Sequence, residues 1–194
     1  MKRRYKLILI IFISFLLTIF IYFTFYKEKY YYLAIGNDYK NYSTYTYVDY
    51  INENLKNKKN YKYYLFDNNS TIESIYEDLI NNKDNINNKI KKANIITLSL
   101  NIDELNNYKV LNNIVINDYL NNLELIINKI KKLNDNNIFI INLYDQKFND
   151  INIKIKEISL KYNINYINLD NIKNNYLSYK DHKKIANLVV NNIK

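Results

Sequence analysis

The chain has 194 residues, and its 28 lysines and arginines outnumber its 19 aspartates and glutamates, so the net charge is +9 at pH 7. It contains no cysteine, which excludes disulfides and thiolate metal sites. Four basic residues precede residue 7, and the 24 that remain still exceed the 19 acidic ones. This excess favours an anionic envelope polymer or lipid as a partner. No nucleic-acid-binding motif accompanies the charge, so we expect no nucleic-acid partner.

The first predicted element is a membrane anchor. Residues 7–26 form an apolar run that contains no charge. As a helix this run is about 30 Å long, which matches the hydrocarbon core of a bilayer. The basic cluster at residues 2–6 is expected to remain in the cytoplasm. We therefore predict a cytoplasmic stub and one transmembrane helix over residues 1–27, and an extracellular domain over residues 28–194, at the cell membrane.

A cleaved signal peptide is the alternative for this segment. The apolar run is longer than the h-region of a typical signal peptide, and no small-x-small cleavage site follows it. Both features favour an uncleaved signal anchor. Asn, Ile, Lys and Tyr, which have AT-rich codons, dominate the composition, as is typical of a low-GC genome.

Beyond the anchor, short apolar runs alternate with segments of helical spacing. The predicted strands are 30–35, 61–66, 94–100, 138–143 and 164–169. The predicted helices are 47–55, 71–80, 112–133, 151–162 and 181–193, and residues 81–92 are predicted as loop or exposed helix. This alternation predicts an α/β fold, a parallel sheet covered by helices on both faces in a three-layer α/β/α sandwich.

Sites in such sheets lie at the carboxyl ends of the strands. The residues of interest therefore follow Ile35, Phe66, Leu100, Leu143 and Leu169.

Several strand ends carry blocks of a known family. Residues 32–38 (Tyr-Leu-Ala-Ile-Gly-Asn-Asp) resemble the first block of SGNH/GDSL hydrolases, Y-L-A-L-G-D-S, and residues 47–51 resemble the helix that follows it in membrane-anchored members from low-GC bacteria. Residues 93–100 resemble the strand that precedes the G-x-N-D block, and residues 138–144 resemble the fourth strand. Residues 178–186 resemble the closing S-x-x-G-H-x-x-I-A helix. The resemblance implies a flavodoxin-like parallel sheet.

The resemblance also implies ester or acyl hydrolysis, for which the family uses a Ser nucleophile, a His base and an oxyanion hole of Gly and Asn. In this chain, Asp38 occupies the position of the Ser, Asn69 that of the Gly, Asp103 that of the Asn and Tyr176 that of the His. Lys173 occupies the position of the Asp that orients the His. We therefore expect a catalytically inactive member, a pseudoenzyme that binds or scaffolds at the envelope, with no cofactor.

The substituted positions allow a different use. Asp38 and Asp103 are predicted to project from strand ends with Glu104 adjacent, and such carboxylates offer oxygen ligands to a hard cation or form an acid/base pair. Solvated surface acids are the alternative, and we expect no metal. Tyr39, Tyr42, Tyr45 and Tyr47 likewise offer either a stacking surface for a sugar or lipid headgroup or ordinary loop packing.

A rearranged hydrolase site is the enzymatic alternative. It predicts a nucleophile at another serine, such as Ser43, Ser70 or Ser99. The single histidine, His182, aligns with the non-catalytic His of the closing helix, so it is expected to be a residue at the helix start and not a base.

Overall fold

The computed structural model describes residues 2–25, 30–37, 43–57, 61–66, 71–100, 102–107, 112–169 and 177–193. In chain order the elements are α1 (Lys2–Phe25), β1 (Tyr31–Gly36), α2 (Tyr47–Leu55), β2 (Lys62–Phe66), α3 (Ile72–Ile80), α4 (Ile86–Lys92), β3 (Ile95–Ser99), α5 (Ile102–Asn106), α6 (Asn113–Leu133), β4 (Asn137–Ile141), α7 (Asn149–Lys161), β5 (Asn165–Ile167) and α8 (Tyr179–Asn191). Short 3₁₀ turns, Lys83–Asn85 and Gln146–Phe148, precede α4 and α7.

The five strands form one parallel sheet in the order β2-β1-β3-β4-β5. This is the flavodoxin-like order of doubly wound α/β proteins. The central strands are almost wholly apolar and buried, as expected when helices cover both faces. The prediction of a parallel α/β fold is confirmed.

The helices lie in two groups. α2 packs against α8, whereas α3, α4 and α7 pack against α6. Right-handed crossovers place α2 on one face of the sheet and α3, α4, α6 and α7 on the other, because the chain moves to the left of β1 once and to its right thereafter. α8 follows the last strand and lies on the face of α2, against which it packs. The result is consistent with a three-layer sandwich whose apolar core lies on both sides of the sheet.

Two local predictions need correction. Residues 81–92, predicted as loop or exposed helix, contain α4, whose Ile86 and Ile90 are completely buried. Their spacing of four residues puts both on one helix face, and that face packs into the core. The strand predicted to end at Leu100 is followed by the short helix α5, which is too short to show a periodic signal.

The predicted anchor coincides with the 24-residue helix α1. Residues 11–20 are all exposed. Among the residues that the structure describes fully, which in α1 are 5, 6 and 11–20, no helix is long and apolar enough to cross a membrane.

Candidate functional site at the carboxyl edge of the sheet

At the carboxyl ends of β1 and β3, the two backbones lie closer together than a side chain at position 36 would allow. Gly36, the last residue of β1, has φ +89°, and a Cβ built there would lie 2.1 Å from the carbonyl oxygen of Ser99. Only glycine tolerates both the conformation and the contact. The site lies where the strand order changes direction, between β1 and β3, and this switch point is where α/β sheets of this kind bind ligands.

Directly beyond this contact, buried polar groups form a strand-end network of Asn37, Tyr47, Ser99 and His182. The Ser99 hydroxyl donates to the carbonyl oxygen of Asn37 and accepts from the Tyr47 hydroxyl at 2.9 Å. All four residues are 2% exposed or less. Ser99, one of the serines predicted as an alternative nucleophile, is therefore engaged in buried hydrogen bonds and closed to a substrate.

His182 connects the two helices of one layer. Its Nδ1 accepts a hydrogen bond from the backbone N–H of Tyr47 at 3.1 Å, and its ring stacks on the Tyr47 ring with centroids 6.4 Å apart. Tyr47 is the first residue of α2, so His182 satisfies an amide that has no partner inside that helix. Burial lowers the pKa of His182 to about 4, so the ring is neutral at pH 7.

The position of His182 follows from its helix start. Ser178 caps α8, and its backbone N–H donates to the Asp181 carboxylate at 2.9 Å in a capping box. His182 comes next in the chain and lies in the first turn of the helix, as predicted. The contact with α2 was not predicted. The imidazole Nε2 is buried without a hydrogen-bond partner among the described residues.

The two described carboxylates of the predicted acidic group lie in the first turn of α5, which follows the carboxyl end of β3. Glu104 is buried, and its Oε2 accepts from the backbone N–H of Ile72, the first residue of α3, at 2.8 Å. Burial raises the pKa of Glu104 to about 7. Asp103, its neighbour in α5, is half-buried. Among the described residues no group of three potential ligands could hold a metal ion.

Glu104 borders a cavity of about 370 Å³ between α3, α5 and α6. Glu73, Asp118 and Tyr119 also line it. The Tyr119 hydroxyl is buried without a partner among the described residues, and burial together with the Glu104 charge raises its pKa. The cavity is polar and acidic, which suits a ligand with hydrogen-bond donors.

Seven of the predicted site positions lie outside the described residues. These are Asp38, Asn69, Ser70, Lys173 and Tyr176, together with Tyr39 and Tyr42.

Two other predictions concern the segment before α2. The Ser43 hydroxyl donates to the carbonyl oxygen of Tyr45 at 2.8 Å in a local turn. Of the two alternatives predicted for these tyrosines, packing holds for Tyr47, which is buried, and Tyr45 packs edge-on against Tyr50 with ring centroids 4.7 Å apart. The described tyrosines of this segment therefore pack in the domain, because α2 begins at Tyr47 and turns that side chain inward.

Comparison with known proteins supports the fold. No protein-family model and no curated protein matches this chain. Among solved structures, it is similar to the crystal structure of the lipase Lip_vut3 from a goat rumen metagenome, with a TM-score of 0.54 and 16% sequence identity over 84% of this chain and 96% of the lipase. At this identity the likeness concerns the fold alone. The chain is therefore an α/β protein with a hydrolase-like fold.

Proposed function

We propose that this protein is a membrane-anchored, extracellular relative of the SGNH/GDSL hydrolases that has lost catalysis and serves a binding or scaffolding role at the cell envelope. The family's hydrolysis needs a base within hydrogen-bond reach of a nucleophile. This chain has one histidine in total, and its Nδ1 accepts from the Tyr47 amide. The proton of the neutral ring therefore lies on Nε2, and neither nitrogen can accept the proton of a nucleophile. That observation carries the proposal.

The substitutions at the family positions agree with it. Asp38 would bring negative charge to the place where an oxyanion develops, and Asp103 would replace an amide donor by an acceptor. Tyr176 has no basic nitrogen to accept the proton of a nucleophile. The carboxyl edge of the sheet then serves as a binding surface, and no cofactor is needed.

The location rests on α1. Within residues 11–20 the Ser14 hydroxyl donates to the Ile11 carbonyl oxygen at 2.9 Å, and the Thr18 hydroxyl donates to the Ser14 carbonyl oxygen at 2.6 Å. Both polar side chains are thus satisfied inside the helix, as a bilayer interior requires. The basic cluster before the helix favours a cytoplasmic N-terminus, and the net positive charge of the remaining chain favours an anionic envelope polymer or lipid as partner.

Activity assays on the full-length protein test the loss of catalysis. We expect no turnover of short-chain p-nitrophenyl esters and no labelling by a fluorophosphonate. A revertant carrying Asp38→Ser, Asp103→Asn and Tyr176→His is expected to be labelled. Its matched control carries the first two changes with Tyr176→Phe, which supplies no base. Turnover by the unaltered protein would refute the proposal.

Labelling of intact cells tests the location. Because the chain has no cysteine, an Ile153→Cys variant carries a single thiol on a side chain that is 58% exposed. We expect a membrane-impermeant maleimide to label it without lysis, and the protein to resist alkaline carbonate extraction. Labelling only after lysis would contradict an extracellular domain.

The second candidate function is an ester or acyl hydrolase with a rearranged site, which the Glu104 cavity favours. A carboxyl whose pKa is raised to about 7 is suited to accept or donate a proton near neutral pH. In that case the unaltered protein turns over esters, and Glu104→Gln removes the activity. Changes at Asp38, Asp103 and Tyr176, the positions altered in the revertant, then cause no loss.

A further inference from the structure

Acidic residues concentrate at the helix starts that follow the strands. The first turns of α2, α3, α5, α7 and α8 each contain at least one. Each of these helices begins at the carboxyl edge of the sheet, because it follows β1, β2, β3, β4 or β5 in the chain. Negative charge there is favourable to the helix dipole, and it makes the carboxyl edge the acidic end of the domain.

Lysines concentrate at the opposite, amino edge, where helices end and strands begin. We call this surface the basic edge; its members are Lys56, Lys62, Lys83, Lys91, Lys92, Lys131, Lys132 and Lys161. All are exposed except Lys131, which is half-buried. The nearby acids are fewer: Glu77, Asp78, Asp84, Glu124, Asp135 and Glu157. Within the described residues Lys91, Lys92 and Lys132 form no ion pair, so the edge keeps a positive excess.

The central part of the basic edge is held in a fixed arrangement. The Asn134 side chain follows α6 and donates to the carbonyl oxygens of Ile90 and Ala93 at the end of α4, the latter at 2.7 Å. Asn136 adds a second hydrogen bond to Ala93 at 2.9 Å. These bonds tie the ends of α4 and α6 side by side. The helix ends that carry Lys91, Lys92, Lys131 and Lys132 are therefore fixed relative to one another, and the Lys131 charge is paired with Asp135.

The chain leaves the domain from this same edge. Tyr30 precedes β1, and its carbonyl oxygen accepts from the first amide of β2 at 2.8 Å, so it lies at the amino edge. Only residues 26–29 separate it from the end of α1. Five Cα steps span at most about 18 Å. With α1 in a bilayer, this tether keeps the start of β1 within about 18 Å of the membrane and allows the basic edge to reach the headgroups, where the surface potential of an anionic leaflet decays over about 8 Å at physiological salt.

We propose that the basic edge docks on the anionic headgroups of the bilayer that holds α1, so that the acidic carboxyl edge faces away from the membrane. The inference rests on the anchor in the proposed function and adds an orientation to it. The occupant is the bilayer itself, because the cationic surface and the tether share one edge. The acidic carboxyl edge would be repelled by anionic headgroups, which disfavours the orientation in which that edge faces the membrane.

Fluorescence quenching on the full-length protein tests the docking. Leu160→Cys places a label at the end of α7 beside Lys161, and Ile114→Cys places a matched label at the start of α6, since both native side chains are 71% exposed. Each labelled protein is reconstituted into nanodiscs that contain a headgroup nitroxide lipid, with or without phosphatidylglycerol in phosphatidylcholine. We expect quenching at 160 to rise with phosphatidylglycerol and to be lost at high salt, with little quenching at 114.

Charge variants identify the surface. Lys91→Glu, Lys92→Glu and Lys132→Glu together are expected to abolish the lipid-dependent quenching at 160, and the milder Lys→Gln triple variant is expected to reduce it. The matched control, Lys180→Glu, Lys183→Glu and Lys184→Glu on α8, changes net charge equally at exposed positions and should leave the quenching intact. Equal loss in both triple variants would show a net-charge effect and overturn the proposal.

Separate measurements distinguish failure of the membrane anchor from failure of the docking. Extraction of the protein by alkaline carbonate would refute the anchor. Resistance to extraction with equal quenching at 160 in both lipids would overturn the docking and leave the anchor intact. Loss of quenching on addition of soluble polyphosphate, without any dependence on phosphatidylglycerol, would assign the basic edge to a polyanion and likewise overturn docking on the bilayer.

Discussion

The hydrogen bond between His182 and the start of α2 predicts a specific dependence of stability on pH. The native state holds His182 neutral, with a pKa of about 4, because its ring is buried; the nearby carboxylates of Asp49 and Asp181 raise the pKa but do not offset burial. The unfolded chain has the ordinary histidine pKa of about 6.5 and binds a proton more readily. Stability from this residue is therefore complete above pH 6.5 and is lost as the pH falls towards 4.

The size of the effect follows from the two pKa values. Between pH 7.5 and pH 5 the difference in proton binding lowers the free energy of unfolding by about 2 kcal/mol. Removing the ring is a separate perturbation. His182→Ala leaves the Tyr47 amide buried without its acceptor, which costs about 1–3 kcal/mol at pH 7.5, in addition to the cavity that it creates.

His182→Asn isolates the titration, because Asn keeps an acceptor at the δ position and does not ionise. Urea unfolding of the full-length protein in detergent micelles, followed by far-UV circular dichroism, is measured at pH 7.5 and pH 5 for the unaltered protein and both variants. Between pH 7.5 and pH 5, we expect the free energy of unfolding of the unaltered protein to fall by about 2 kcal/mol more than that of the Asn variant. Parallel losses in the two proteins would refute the buried, neutral state of His182.

Three further predictions follow from the same region. Glu104→Gln should raise stability by about 3 kcal/mol at pH 8 and by only about 1 kcal/mol at pH 5, because the raised native pKa of Glu104 stabilises the fold below the unfolded pKa of about 4.3 and this contribution is lost as the pH rises through 7; urea unfolding at both pH values checks it, and equal effects would contradict it. Gly36→Ala should destabilise by more than about 1–3 kcal/mol, the cost of the backbone conformation alone, since its Cβ meets Ser99; a thermal scan with an unchanged midpoint would count against it. Tyr47→Phe should cost about 1 kcal/mol through the bond to Ser99, and a double-mutant cycle with Ser99→Ala should show coupling between them, whereas additive effects would exclude the bond.

The order of elements was predictable from the sequence because each long element carries its own periodic signal. β3 is a continuous buried run, and α6 repeats apolar residues at helical spacing over 21 residues. Short elements lack such a signal, and α5 was missed for this reason. β5 was predicted over 164–169 but pairs only over Asn165–Ile167, because an apolar run does not show where its hydrogen-bonded partner ends.

For the candidate site too, the sequence determined some features and the tertiary structure determined others. The sequence by itself determined that the protein has one histidine and no cysteine. Only the tertiary structure decided what the remaining polar groups do. His182 meets the Tyr47 amide across 135 residues of chain, and Glu104 meets Ile72 across 32. Such contacts arise when α8 packs against α2 and α5 lies beside the start of α3, and packing between distant helices leaves no periodic trace in either segment.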